Sequence, residues 1–205
     1  MKRYTLLVAL SVMLWGTEAM ANTIGFDTLG GSNQSTFTSY VEEGYTVSAV
    51  YGSWHVAQVF GSAFPSIFAG PIGSPGPSQI EVTDGGEQFS FGGVDLTSNS
   101  ASGTSYLIQG FLGAVNVFSL PETILSINTF ESRLFSGLGN VDRLTITGTP
   151  VSGVTSFNID NIRAGAAVVC DSNGCSGSNI PEPASLMLLG VGLAGIGIWR
   201  RQSTS

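Results

Sequence analysis

Lysine is almost missing from this 205-residue chain: Lys2 is the only one, and with six arginines the bases number seven against fourteen acids. Between Asn22 and Ile180 the shortage is sharper, because Arg133, Arg143 and Arg163 stand alone against twelve acidic residues. Binding to nucleic acid or to anionic lipid headgroups needs cationic surface, so both are excluded as functions of this span. An acidic domain is compatible with calcium, or with simple solubility outside the cell. Histidine is nearly as scarce. Nucleophilic catalysis needs a base beside Ser or Cys, and the only histidine, His55, sits in Ser53-Trp54-His55, which is not a recognised nucleophile motif. It reads as a strand residue at the surface or in a small polar network. Gly-x-Ser-x-Gly is absent, and Gly85-Gly86 and Gly92-Gly93 are too isolated to cradle a phosphate, so they read as turns or bulges. Paired carboxylates can come from anywhere in a sequence, and nothing marks Glu81, Glu87 or Asp95 for that role. Strong helix formers are scarce, which favours strands and turns.

Long apolar runs occur only at the two ends. Lys2 and Arg3, the apolar stretch from Tyr4 to Trp15, and Ala19-Met20-Ala21 have the order of a secretory signal, with Ala19 and Ala21 as the small residues that signal peptidase reads. Cleavage is expected before Asn22. An uncleaved anchor is the other reading, but the stretch is well short of the roughly 20 residues a spanning helix needs. At the far end, residues 184–199 carry no charge and are closed by Arg200-Arg201. A helix of this length spans roughly 24 Å, against a hydrocarbon core of about 30 Å. Positive charge stays cytoplasmic, so Arg200 and Arg201 act as the membrane stop and everything before Pro181 lies outside. The two ends agree on topology.

Immediately before the apolar stretch stands Pro181-Glu182-Pro183. Proline holds φ near −65° and lacks an N–H, and each biases its predecessor toward extended geometry. A stiff, extended tripeptide at the membrane face suits a protease groove. The order Pro181-Glu182-Pro183, apolar helix, Arg200-Arg201 resembles the PEP-CTERM sorting signal of Gram-negative bacteria that make extracellular polysaccharide. The resemblance covers about the last twenty-five residues. It implies that an exosortase, a membrane-embedded cysteine peptidase of sortase-like role, recognises the tripeptide and removes the helix. A permanent single-pass anchor whose prolines merely stop the helix is the alternative.

Removing both ends leaves about 159 residues, one domain's worth. Short runs of period-two alternation bounded by Gly, Pro or Ser recur through it, the strand signature. Ten strands are expected: Thr23 to Phe26, Tyr45 to Tyr51, Trp54 to Phe60, Gln79 to Val82, Glu87 to Phe91, Ser105 to Phe111, Val115 to Ser119, Thr123 to Asn128, Arg143 to Thr147 and Val154 to Ile162. With no amphipathic helix, the pattern predicts an all-β antiparallel sandwich over residues 22–163. Leu144 and Ile146 are expected inward with Thr145 and Thr147 outward. On the last strand Phe157 and Ile159 are expected inward, leaving Asn158 and Asp160 on the other face. Residues 69–78, with three prolines and three glycines, read as a surface loop. Residues 164–179 read as a linker whose Cys170 and Cys175 flank a turn sequence. In an exported protein such a pair is expected to form a disulfide, and a two-cysteine metal site lacks further ligands.

A second resemblance lies inside the domain. Phe89 to Leu96, then Leu144 to Gly148, then Phe157 to Ile162 look like the jelly-roll sandwiches common in PEP-CTERM proteins, which are similar in turn to carbohydrate-binding modules. In those modules an acidic residue of the last strand and one near the first often hold a structural calcium. By position these are Asp160 and Asp27. Calcium takes six to eight oxygens, so this requires the first and last strands side by side, and a solvated or locally hydrogen-bonded Asp160 is the competing reading. Aromatics concentrate near the Pro/Gly loop, where Trp54 is the residue to test for stacking on a sugar ring, with core packing as its other use.

The expectation is an exported, non-catalytic protein that needs no cofactor beyond that calcium. Its partners are signal peptidase, an exosortase-type peptidase and extracellular polysaccharide. It is an inner-membrane-anchored intermediate on the way to the envelope, surface or matrix. A carbohydrate-binding module and a secreted glycan hydrolase with the same tail are the alternatives.

Overall fold

The computed structural model describes residues 21–70, 76–151, 156–166, 169–171 and 174–176. Fourteen strands follow one another: β1 Ala21–Ile24, β2 Ser39–Glu42, β3 Tyr45–Tyr51, β4 Trp54–Ala57, β5 Ser66–Ala69, β6 Ser78–Thr83, β7 Phe89–Ser98, β8 Thr104–Leu112, β9 Val115–Ile124, β10 Glu131–Leu134, β11 Arg143–Pro150, β12 Phe157–Ala166, β13 Val169–Asp171 and β14 Gly174–Ser176. Among the described residues there is no helix. Two six-stranded antiparallel sheets form a sandwich. The first runs β10-β7-β12-β5-β4, with β1 paired to the far end of β12; the second runs β2-β3-β6-β11-β8-β9. This is the all-β sandwich expected from the alternation.

The alternation holds where a strand has one wet face. Leu144 and Ile146 are fully buried on β11, as are Phe157 and Ile159 on β12. The last strand differs on its second face, where Asn158 and Asp160 are also buried. A peptide segment explains it: Ser62 N–H donates to Asp160 Oδ2 at 2.7 Å, the Ser66 hydroxyl donates to the Phe60 carbonyl, and Phe60 stacks on Phe130 at 5.3 Å. The first sheet thus carries polypeptide on both faces.

Five short strands, β2, β5, β10 and the two of the β13–β14 hairpin, are absent from the sequence reading. β5 is buried at three of its four positions, so it lacks the polar-apolar alternation that marks a half-exposed strand. The two strands expected on either side of Pro121 are one, β9, in which Pro121 pairs with Leu107. Proline is tolerated there because β9 is an edge strand and needs no outward N–H. β12 continues three residues past Arg163, where Gly165 pairs with Ala21 of β1.

Between the sheets the core turns on Phe157. Trp54 meets its ring edge-on at 5.6 Å and Tyr106 at 5.4 Å. Across the gap stands Gly148 of β11, where an added Cβ would lie 2.3 Å from the Phe157 ring. Tyr106, on β8 of the second sheet, donates its buried hydroxyl to the Thr97 carbonyl of β7 at 2.8 Å and lies 3.2 Å from the Asn158 carbonyl of β12. Burial pushes this phenol well above its ordinary pKa. One side chain therefore spans the core and satisfies its polar tip on the opposite sheet.

Gly148→Ala is expected to destabilise the fold by about 1–3 kcal/mol through overpacking, and Tyr106→Phe by about 1 kcal/mol through the lost hydrogen bond. Urea denaturation of both variants measures these values; a neutral Gly148→Ala would contradict the close contact.

Candidate functional site

Two places hold residues singled out from the sequence, and a third gathers polar side chains from five strands. The first is the covered outer face of the first sheet. β12 carries a bulge between Asp160 and Arg163, and Asn161 adopts a φ of 45°, a left-handed conformation that asparagine tolerates better than most residues. The bulge aims neighbouring side chains at one cluster. Asn161 Nδ2 donates to Asp95 Oδ2 at 2.8 Å and to the Ser62 carbonyl at 2.8 Å. Asp95 also accepts from the Ser132 hydroxyl at 2.6 Å and pairs with Arg163 at 2.8 Å.

Asp160 differs from Asp95 in its compensation. Its two oxygens accept the main-chain N–H groups of Ser62 and Asn161, at 2.7 and 2.8 Å, and among the described residues it has no ion pair. Burial pushes its pKa up to about 7; the two N–H donors pull it down, and the charges of Asp95 and Asp27 push it further up. The hydrogen-bonded reading of Asp160 is thus what the geometry displays.

Calcium was the other reading. Asp27 Oδ2 and Asn161 Oδ1 each lie 3.4 Å from where a Gly25 Cβ would be, so these two oxygens face one point. Asp27 is exposed and Asp160 is fully buried with both oxygens engaged. Among the described residues no group of three or more His, Cys, Asp or Glu side chains is arranged to hold a metal ion. The side-chain donors fall short of the six to eight oxygens calcium takes.

The second place is β4. Trp54 is 1% exposed and donates its indole N–H toward the carbonyls of Tyr51 and Gln79, both at 3.2 Å. Buried among Phe157 and its neighbours, it offers no face to a sugar, which corrects the stacking role expected for it. His55, on the opposite face of β4, is buried. Its Nδ1 is 3.1 Å from the Gln34 carbonyl and its Nε2 is 2.9 Å from the Ser53 hydroxyl, while Phe68 covers the ring at 5.2 Å. A carbonyl only accepts, so Nδ1 donates to Gln34, and in the neutral ring Nε2 accepts from Ser53. The bonds tie residues 34–37 along the edge of β4, where Phe37 N–H donates to the Trp54 carbonyl and Gln34 N–H to that of Val56. This is the small polar network expected of His55, used to cover a sheet edge.

The third place is the outer face of the second sheet, which sequence reasoning did not single out. Ser48, Glu81, Thr145, Gln109 and Ser119 lie in one row across β3, β6, β11, β8 and β9. Arg143 pairs with Glu81 at 3.5 Å and lies 4.2 Å over the Phe111 ring. On the other side of the row are Tyr51 and Leu107, both exposed. The signal was present as Thr/Ser/Gln at alternate positions of β6, β8 and β11, but alternation alone does not tell a binding face from an ordinary wet one.

Cys170 and Cys175 are paired positions of β13 and β14. Their side chains lie outside the described residues, and no disulfide is among the bonds described. Ala19, Pro181, Glu182, Pro183, Arg200, Arg201 and the expected helix 184–199 also lie outside them. Within the described set no helix is long and apolar enough to cross a membrane.

A family model, the PEP-CTERM protein-sorting motif, matches residues 179–202. The chain therefore carries that motif, as the three-part tail implied. No curated protein matches the chain in sequence. Among solved structures, it is similar to a family 61 carbohydrate-binding module in complex with β-1,4-galactotriose (TM-score 0.43, 10% identity, 68% of this chain and 92% of that one). It is similar to a variant of a family 29 module (TM-score 0.44, 12% identity, 81% and 99%). It is also similar to a family 32 module from C. perfringens NanJ in complex with galactose (TM-score 0.42, 17% identity, 60% and 97%).

The raised pKa of Asp160 has a definite sign. A group whose folded pKa lies above its ordinary 3.8 contributes stability that is fully present below about pH 4 and is lost as pH rises through about 7. Unfolding free energy is expected to rise by up to about 4 kcal/mol on going from pH 8 to pH 4 through this group alone. In Asp160→Asn this component disappears. Urea titrations of both proteins across that range measure it; identical pH slopes would remove the assignment.

Proposed function

We propose that this chain is an exported, non-catalytic protein of the cell envelope or extracellular matrix, delivered by exosortase recognition of Pro181-Glu182-Pro183. The sorting motif at residues 179–202 carries this reading. In it, signal peptidase cuts after Ala21, the helix over 184–199 holds the precursor in the inner membrane with Arg200 and Arg201 inside, and the peptidase removes that helix. The sandwich is the cargo. Its acidic surface suits an extracellular polymer matrix without sticking to anionic membranes.

The non-catalytic part is supported by the state of the carboxylates. Asp95 and Asp160, the two that share Asn161, are 3% and 0% exposed. Asp95 is neutralised by Arg163, and Glu81 pairs with Arg143. A glycan hydrolase needs two carboxyl groups flanking the scissile bond in a cleft, whereas Asp95 and Asp160 are buried and Glu81 is held in a surface ion pair.

The Cys170–Cys175 bridge belongs to the same reading. Opposed residues of antiparallel strands have Cα atoms about 4.5–5.5 Å apart, within the roughly 4.4–6.8 Å a disulfide takes, and export places the pair in an oxidising compartment.

A second reading, a glycan-binding module, is favoured by the row of hydroxyl, amide and carboxyl side chains across the second sheet.

Mass spectrometry of the protein from its native host tests the first reading at both ends. The expected mass begins at Asn22, ends near Pro181, and has the cysteines oxidised. Replacing Pro181 and Pro183 together by alanine is expected to leave a longer, membrane-bound precursor. Equal processing of that variant would overturn sorting through the tripeptide.

A further inference from the structure

We infer that the outer face of the second sheet is a docking trough for a neutral, polyhydroxylated polymer, with Thr145 at its floor; the inference rests on the glycan-binding reading. Thr145 is on the central strand β11, between Leu144 and Ile146, whose side chains fill the core, so its own points to the outer face. It is nevertheless only 4% exposed, and its hydroxyl has no hydrogen-bond partner. Leaving a buried hydroxyl unpaired costs about 1–3 kcal/mol, where valine of similar shape would cost nothing of the kind. The oxygen is covered by the side chains around it, so a ligand hydroxyl supplies the missing partner by displacing them.

The surroundings define the ligand's chemistry. Gln109 donates to the Ser119 hydroxyl at 3.2 Å, which donates to Asn116 Oδ1 at 3.1 Å, and Gln79 donates to the Thr147 hydroxyl at 2.7 Å. Hydroxyls and amides both donate and accept, so they match groups that do the same. The charges nearest the row, Glu81 and Arg143, neutralise each other, on a chain whose net charge is −7. A polyanion would be repelled by the rest of the surface, and a polycation would find better sites elsewhere. Phe111 under Arg143 on one side, with Tyr51 and Leu107 on the other, gives apolar flanks for the C–H faces of a sugar ring. The row crosses five strands at about 4.8 Å each, roughly 19 Å in all, a length that suits an extended chain better than a single residue. Its centre is buried and its β9 end is open.

Native gel electrophoresis of the detergent-solubilised full-length chain, in gels containing galactan, mannan or glucan, tests this, with dextran sulfate as the anionic control. Retardation by at least one neutral polymer and none by dextran sulfate is expected. Thr145→Val and Gln109→Ala should each weaken it about tenfold, and the unfolding midpoint of Thr145→Val should be unchanged or raised, which separates lost contact from lost fold. Retardation that both variants retain in full overturns the trough while leaving the glycan-binding reading intact. No retardation by any neutral polymer overturns that reading and the inference together, and preference for dextran sulfate overturns the neutral ligand.

Discussion

The sandwich depends on how Phe157 fills the space between its sheets. A large ring on one sheet requires an empty place on the other, and Gly148 supplies it, since any Cβ there would stand 2.3 Å from the ring. Trp54 and Tyr106 close on Phe157 edge-first, the arrangement that places the positive rim of one ring against the negative face of another. Fully burying side chains of this size contributes about 1.5–3 kcal/mol each. Tyr106 adds direction, because its hydroxyl reaches carbonyls of the opposite sheet. The sheets are thereby held in one register.

The same strand, β12, organises the polar side. Its inward residues make the core, and its bulge turns Asp160, Asn161 and Arg163 toward a second, polar layer beneath residues 60–65. Two carboxylates are taken out of water there and handled differently: Asp95 by Arg163, Asp160 by main-chain N–H groups alone. Buried carboxylates with compensating donors rigidify a structure, and one without a cation shifts toward its protonated form. This layer connects the loop before β5 to the last long strand, joining segments almost one hundred residues apart.

Alternation made the long strands legible. Leu144, Ile146, Phe157 and Ile159 were expected in the core and are there, because period two is the direct consequence of a pleated strand with one wet face. Where both faces are covered the signal fails, as at β5, and four-residue strands such as β10 offer too few positions to show a period. For His55 the sequence left a surface position and a small polar network open, and the structure holds the network. The burial of Trp54 did not follow, since a tryptophan beside a Pro/Gly loop has the same sequence whether it packs inward or faces a ligand. The Thr145 row was equally hidden: its members come from five strands, and only pairing brings them into line.

By itself the sequence determined the sorting motif and the fold class. A sorting motif is a linear segment, so Pro181-Glu182-Pro183, the apolar run and Arg200-Arg201 carry it in order and composition alone. The β-sandwich follows from local alternation in the same way. Tertiary structure alone decided which polar residues are covered, which aromatics are core, and which side chains share a face. Those properties depend on contacts between strands far apart in the chain, and no local pattern encodes the distance between them.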